Sequence, residues 1–388
     1  MSFLRRASTR SLLFVATAAA VLAAGGAAIA VAAGGGGPTP PSKPLDQAIH
    51  DALAAQPAEG VTARVAFTNK LFPSGTLVGQ VGSALMSGAT GRLWLTNDGR
   101  GRVELQSDAG DVQIVWDKKQ VSIYDASANT VYRADLPAGH DTSTPGTDTN
   151  AAPALADIDT FLSRLGAHWA ISGAQPTDIA GQAAYSVSVS PKHDGGLLGS
   201  LELAWDAVHG APLRVGIYAQ GSSQPVLELA VTDIAYGAVP SSEVEVAAPA
   251  DAKVVDLGSG PTGDKSSSGP AVTGLQAVQA AADYPVVAPD SLVGLPRRDV
   301  RLVGGKAALA LYGQGLGGIV LVERKADTAS AGGSALSSLP TVSLDGLTAH
   351  ELSTPLGTVL EWQSGGTSYV LAGSLPAAAA ESAARAVK

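Results

Sequence analysis

The sequence predicts an α+β fold: a curled antiparallel sheet, followed by a smaller α+β unit at the C-terminus. Short segments in which apolar and polar residues alternate, such as 102–106 and 201–206, predict strands with one buried face. Turn-forming residues between them, such as Asn97, Asp98 and Gly99, predict hairpins. Successive short hairpins favour an antiparallel sheet that curls.

Composition and charge exclude several classes of function. The 388 residues carry a formal net charge of −9, and −12 without Arg5, Arg6 and Arg10. We see no cluster of Lys and Arg, so no nucleic-acid partner is expected. Cysteine is absent, which excludes thiolate zinc sites, iron–sulfur clusters, a cysteine nucleophile and lipid attachment at a lipobox cysteine. No cofactor is expected.

The N-terminal residues 1–33 predict a transmembrane anchor or a signal peptide. Residues 11–33 contain no charge, follow three arginines and would form a helix of about 34 Å, enough to cross a bilayer core of about 30 Å. Ala28-Ile29-Ala30 is instead typical of a signal-peptide cleavage site. We therefore expect a single-pass protein of the cell membrane with an extracytoplasmic domain, or a secreted protein if the segment is cleaved.

A larger β domain is predicted over 45–257, after a Gly/Pro-rich linker at 34–44. Apolar spacing predicts helices over 45–56 and 157–169. About nine to eleven strands are expected, including 92–96, 102–106, 112–116, 121–125, 130–134, 185–190, 201–206, 213–218 and 226–234.

A second linker, residues 258–270, precedes a small α+β domain over 271–388. Thr273 and Gln276 have capping-box spacing ahead of a predicted helix, and an Ala-rich helix is expected over 376–388. Seven strands are predicted between the two helices, at 300–302, 307–312, 319–324, 342–344, 348–352, 357–363 and 367–373.

No motif predicts catalysis. Residues 313–318 match G-x-G-x-x-G, but β-branched residues follow, so we interpret the glycines as a hairpin turn rather than a dinucleotide site. Residues 192–196 are either a charged turn over a ligand mouth or a plain hairpin tip. Asp157 and Asp159 suit a helix N-terminus. The six histidines lack metal-ligand spacing. The protein is therefore expected not to be an enzyme.

Three stretches of the larger domain resemble bacterial lipoprotein-carrier proteins of the LolA/LolB and RseB/MucB-like family. They are the hairpin strands at 91–95 and 102–105, the segment 116–125 (WDKKQVSIYD), in which Lys119 replaces the family's usual Gly, and Leu201 to Asp206 with Pro212-Leu213. The C-terminal unit resembles a domain at the ends of exported bacterial regulatory proteins, through Tyr284-Pro285-Val286-Val287-Ala288-Pro289, Leu311-Tyr312, Leu360-Glu361-Trp362 and Tyr369-Val370-Leu371.

The resemblance implies a half-open β-barrel whose apolar cavity, partly covered by helices, holds an acyl chain or the lipid moiety of a lipoprotein. The alternative is an RseB-like sensor that binds an anti-sigma factor or another membrane protein. Trp94, Trp116, Trp169 and Trp205 either line the cavity or pack in the core, and Leu71-Phe72-Pro73 is either an apolar rim or a plain packed loop. Candidates for the cavity wall are Trp94, Val103, Leu105, Trp116, Leu201, Leu203 and Trp205, with Leu71 and Phe72 at its rim.

Overall fold

The structure, a computed structural model, describes residues 37–72, 84–136, 153–193, 195–259, 272–326 and 339–387. Within these residues no helix is both long and apolar enough to cross a bilayer. The predicted localisation as a single-pass membrane protein is therefore wrong for the described chain. The segment at 11–33 on which that prediction rested lies outside the described residues.

The larger sheet contains thirteen described strands, two or more beyond the number expected. They are β1 Gly60–Asn69, β2 Ala89–Thr96, β3 Gly101–Ser107, β4 Gly110–Trp116, β5 Gln120–Asp125, β6 Thr130–Asp135, β7 Trp169–Ile171, β8 Gln175–Ile179, β9 Gln182–Pro191, β10 Leu198–Asp206, β11 Pro212–Ala219, β12 Pro225–Tyr236 and β13 Lys253–Ser259.

The strand order of this sheet is β13-β6-β5-β4-β3-β2-β1-β12-β11-β10-β9-β7, with β8 paired to β9. β2 to β6 form the expected meander of antiparallel hairpins. β13 is the exception, because it pairs with β6 in parallel. The sheet is curled and open, with β13 and β7 at the two ends of the path, which confirms the predicted α+β class.

Four described helices accompany the larger sheet: α1 Leu45–Ala54, α2 Ala84–Ser87, α3 Leu155–Leu165 and α4 Ser241–Val244. The two longer ones were predicted. α3 begins at Leu155 after Ala154, and no side chain caps it, so Asp157 lies in the first turn rather than at the N-cap. Trp169, expected at the end of this helix, belongs to β7.

The smaller sheet has eight described strands in the order β14-β15-β16-β17-β21-β20-β19-β18. They are β14 Ser291–Leu292, β15 Leu295–Val303, β16 Ala307–Tyr312, β17 Ile319–Lys325, β18 Thr341–Leu344, β19 Leu347–Thr354, β20 Gly357–Ser364 and β21 Thr367–Gly373. β16 and β17 are antiparallel and joined through a 3₁₀ turn at Gly315–Gly317, which confirms that the glycine-rich motif is a turn.

One face of the smaller sheet packs against α5 (Leu275–Ala281) and α6 (Ala377–Arg385). Ala380, Ala383 and Ala384 of α6 are buried, because small side chains let this helix approach the sheet closely. α5 follows Gly274 and has no side-chain cap, so the capping box predicted from Thr273 and Gln276 does not form.

Candidate functional site

The two faces of the larger sheet follow from its register. Residues paired across neighbouring antiparallel strands point to the same face, and successive residues alternate. We call the face that carries Val61, Ala63, Val65 and Phe67 of β1 the inner face, because these side chains belong to the main apolar cluster.

Most of the predicted cavity residues share the inner face. In β3 and β4, Val103 pairs with Ile114, and Leu105 pairs with Val112. The ring of Trp116 lies over Gly101 on this face, where a Cβ at Gly101 would collide with it. Val103, Leu105 and Trp116 therefore continue the inner face that starts at β1.

Leu201 and Leu203 of β10 reach the same face from the other half of the sheet. Leu203 pairs with Val215, which pairs with Leu229 of β12, and Leu229 pairs with Phe67 of β1. Trp205 packs with Leu203 in a cluster beneath α1. Both halves of the curled sheet thus contribute to one apolar face.

Trp94 is placed differently from the other predicted cavity residues. It alternates with Leu93 and Leu95, so it lies on the outer face of β2. The Arg102 guanidinium lies 4.8 Å from the centre of its ring, in a cation–π arrangement. Trp94 is buried there and takes no part in the inner face.

Leu71 and Phe72 follow the end of β1. Leu71 packs against the cluster of Ile217, Val226 and Leu227 at the rim of the sheet. Phe72 is half-buried, and the residues after it, 73–83, lie outside the described chain. Of the predicted rim pair, Leu71 is thus in contact with the apolar cluster at this end.

A belt of the inner face is apolar but only half-buried. On β2 to β5 the belt consists of residues that pair across the strands: Leu93, Leu95, Val103, Ile114 and Ile123. On β10 to β12 it continues through Leu203, Val215 and Leu229. Branched aliphatic side chains with remaining exposure are suited to bury an apolar ligand.

Helices cover part of this face. Ala48 of α1 packs on Tyr185 and Trp205, whose rings lie 6.2 Å apart. The hydroxyl of Tyr185 donates to the carbonyl of Pro41 at 2.6 Å, and Lys43 Nζ lies 5.3 Å from the Tyr185 ring centre. The segment that leads into α1 is thereby attached to β9.

An open pocket of about 570 Å³ borders the helical cover and was not predicted. It lies between α3 and β7, and shares Leu45 and Ile171 with the cluster under α1. Trp169 is its largest side chain, and Leu162 lines it from α3. The apolar spacing over 157–169 was the signal for it in the sequence.

Asp206 organises the rim opposite Leu71. Its Oδ1 accepts the backbone N–H groups of Val208 and His209, both at 2.7 Å, and its Oδ2 accepts the Tyr236 hydroxyl at 2.7 Å. The His209 ring stacks on Tyr236 with centroids 3.7 Å apart. The pKa of Tyr236 is raised by burial and by this hydrogen bond.

The outer face behind the belt is polar. The Tyr218 hydroxyl donates to Glu202 Oε2 at 2.9 Å, and Arg214 lies 3.5 Å from the other Glu202 oxygen. Gly216 between them allows the Tyr218 ring to lie close to the backbone. Burial raises the pKa of Glu228, while Arg214 opposes that shift. Behind the belt, the outer face therefore carries charged side chains.

A buried carboxylate also organises the smaller unit. Glu323 accepts the backbone N–H groups of Val287 and Ala288 at 2.8 and 2.9 Å, and Tyr284 donates to the Glu323 carbonyl at 2.6 Å. These bonds hold the Tyr284–Pro289 motif. In the described part of the chain, no group of three or more His, Asp or Glu side chains is arranged to hold a metal ion.

Neither a protein-family model nor a curated protein matches this sequence. The chain is similar in structure to MucB. In the Pseudomonas aeruginosa MucA/MucB complex, the similar chain is 16% identical, with 87% of this chain and 95% of that chain covered and a TM-score of 0.41. A LolA superfamily protein from Nitrosomonas europaea is 8% identical, over 53% of this chain and 99% of its own, with a TM-score of 0.22.

A third solved structure is a putative outer membrane lipoprotein-sorting protein domain from Vibrio parahaemolyticus. It is 13% identical, covers 52% of this chain and 96% of its own, and has a TM-score of 0.24. The chain is thus similar in structure to MucB and LolA-superfamily proteins, the group that the sequence motifs resemble.

Proposed function

We propose that this chain is a non-enzymatic binding protein that holds the acyl chain of a lipid or lipoprotein on the inner face of its larger sheet. The half-buried belt carries the proposal. Its aliphatic side chains pair across β2 to β5 and across β10 to β12, and they keep exposed apolar surface that a ligand would cover.

The energetics suit an acyl chain. Each buried methylene contributes about 0.8 kcal/mol, so about ten methylenes would provide about 8 kcal/mol before the cost of ordering the ligand. Such binding requires no ionised or nucleophilic group, and the belt consists of Leu, Ile and Val. The outer face behind the belt carries charged side chains such as Glu202 and Arg214 instead.

A matched pair of variants on β4 tests this proposal. Ile114 lies on the inner face, and its neighbour Gln113 lies on the outer face, where it pairs with Glu104. Both are half-buried. With the full chain, Ile114→Arg should weaken binding of cis-parinaric acid, a fluorescent fatty acid, at least tenfold, because a charge would enter an apolar site.

Gln113→Arg should leave the affinity for cis-parinaric acid within about twofold of the wild-type value. Circular dichroism would establish that both variants keep the sheet. Equal affinity in the two variants, or wild-type protein that binds no fatty acid, would remove the acyl-binding proposal.

A sensor that binds a protein partner, such as an anti-sigma factor, is the second candidate, and one observation favours it. The outer face of the smaller sheet carries half-buried aliphatic residues that belong to no core cluster of the described chain. Val322 pairs with Leu309 and Val370, and Val320 pairs with Leu311. Apolar surface of this kind is typical of interaction sites.

A photo-cross-linking residue at position 322 tests the second candidate in cells that make the protein. We expect one cross-linked partner protein at this position and none at position 347, an exposed leucine at the start of β19 in the same sheet. The same pattern of cross-links at both positions would count against a specific partner on this face.

A further inference from the structure

The two sheets meet at one rim of the larger sheet. The turn between β9 and β10 contributes Gly196 and Leu197, and the smaller sheet contributes the β19–β20 turn and the end of β21. Leu356 of the β19–β20 turn packs into the cluster formed by Ile217, Val226 and Leu227. A side chain of the C-terminal unit thus reaches the apolar residues of the larger sheet.

Two members of the cluster that Leu356 joins, Ile217 and Leu227, lie at the end of the inner face, whereas Val226 alternates with Leu227 in β12. Leu227 pairs with Ile217, and Ile217 pairs with Leu201, so the three form one row across β12, β11 and β10. Ile217 and Leu227 are only 4% and 3% exposed. The next row inward, which contains Leu203, Val215 and Leu229, is half-buried and belongs to the belt.

The β19–β20 turn holds Leu356 in a defined position. Thr354 Oγ1 accepts the backbone N–H groups of Leu356 and Gly357 at 3.2 and 3.1 Å, and it donates to the Gly357 carbonyl at 2.8 Å. Ser374 Oγ donates to the Leu356 carbonyl at 2.7 Å. A side chain presented from such a turn acts as a fixed boundary rather than an adaptable one.

We infer that Leu356 sets the length of the acyl chain that the larger sheet accepts, by closing the inner face at the rim where the two sheets meet. The inference rests on the proposed acyl-binding function. A chain lying on the belt would run along the strands until its terminal carbons met the covered row of Ile217 and Leu227. Removing carbons from Leu356 would open space there, and adding them would shorten the available path.

The test compares fatty acids of increasing length on the full chain. Lauric, myristic, palmitic and stearic acids compete with bound cis-parinaric acid, and the ratio of stearate to myristate affinity is measured. Leu356→Ala should raise this ratio about tenfold, because roughly two additional methylenes would be buried. Leu356→Trp should lower the ratio by a similar factor.

Leu347→Ala is the matched control. Leu347 is the first residue of β19, next to the β18–β19 turn, is 38% exposed and lies in none of the described core clusters. Its stearate-to-myristate ratio should equal that of the wild type.

Two results would overturn the inference while acyl binding stands. One is an unchanged ratio in both Leu356 variants, and the other is a uniform loss of affinity for all chain lengths. Wild-type protein that binds none of the four acids would instead defeat the proposed function, and the inference with it.

Discussion

Ser374 holds Leu197 across the contact between the two sheets, because its Oγ accepts the Leu197 backbone N–H at 2.9 Å. The same hydroxyl donates to the Leu356 carbonyl at 2.7 Å. One side chain therefore connects a turn of the larger sheet to the turn that presents Leu356.

Ser374→Ala should loosen the contact between the sheets. The variant leaves the Leu197 N–H and the Leu356 carbonyl without their partner, which costs about 1–3 kcal/mol where such groups stay buried. Hydrogen exchange of the Leu197 amide should become faster. Ser382→Ala is the control, because its hydroxyl bonds to Ala378 on an exposed face of α6. Unchanged exchange at Leu197 would show that Ser374 does not hold this turn.

Gly196→Ala should disturb the same contact for a steric reason. Gly196 has φ +59°, and a Cβ there would collide with the backbone and side chain of Ser374. Gly221 is a matched control, with φ +73° and open space around it. Both variants incur the strain of positive φ, about 1 kcal/mol, so a larger loss of stability in Gly196→Ala isolates the collision. Urea denaturation would measure the difference, and equal losses would contradict it.

Asp206→Ala should destabilise the larger sheet more than Tyr236→Phe. The aspartate accepts two backbone N–H groups and the Tyr236 hydroxyl, and it is 1% exposed. Its loss leaves three donors unsatisfied, about 3 kcal/mol or more, whereas the phenylalanine variant removes one hydrogen bond, about 1 kcal/mol. Thermal and urea unfolding of the two variants and their double mutant would give the coupling free energy between Asp206 and Tyr236. Equal losses of stability in the two single variants would mean that the hydrogen bonds to the Val208 and His209 amides contribute nothing.

Glu323→Gln should reduce the pH dependence of stability. Burial raises the pKa of Glu323, and its bonds to the Val287 and Ala288 amides oppose that shift. A raised pKa means that the stabilising contribution is fully present below the ordinary value of 4.5 and is lost as pH rises through the folded value. Glu351, whose pKa is also raised by burial, contributes in the same direction, so part of the slope should remain.

Urea denaturation at several values between about pH 4 and about pH 8 would measure this slope. The glutamine variant should also be less stable overall, since its amide N–H₂ must face one of the two backbone N–H groups that the carboxylate accepts. Glu59→Gln, on an exposed residue, is the control for loss of one negative charge. If the stability of Glu323→Gln changed with pH as steeply as that of the wild type, Glu323 would not be the source of the pH dependence.

Trp94 and Trp116 should differ in their response to a brominated fatty acid. Trp116 lies on the inner face over Gly101, whereas Trp94 lies on the outer face beside Arg102. Bromine quenches nearby tryptophan fluorescence, so Trp116→Phe should reduce the quenchable fraction and Trp94→Phe should not. Quenching that depends on Trp94 would place the ligand on the outer face.

Local patterns in the sequence were sufficient for much of the secondary structure. The meander β2 to β6 was predicted because alternation and turn-forming residues act within a few positions of one another. β1 was not predicted, although Val61, Ala63 and Val65 alternate there. β1 is the central strand, and Ala66 and Thr68 on its other face are also buried. The alternation of apolar and polar residues that predicts a strand is therefore weak in β1.

Alternation by itself determined which residues of a strand share a face, while only the tertiary structure decided which face is the inner one. Trp94 shows the consequence, since its register with Arg102 places it on the side opposite to Val103. The parallel pairing of β13 with β6 and the packing of Leu356 against the cluster of Ile217, Val226 and Leu227 join residues that are more than a hundred positions apart. No local propensity encodes such contacts, because they depend on how the whole chain packs.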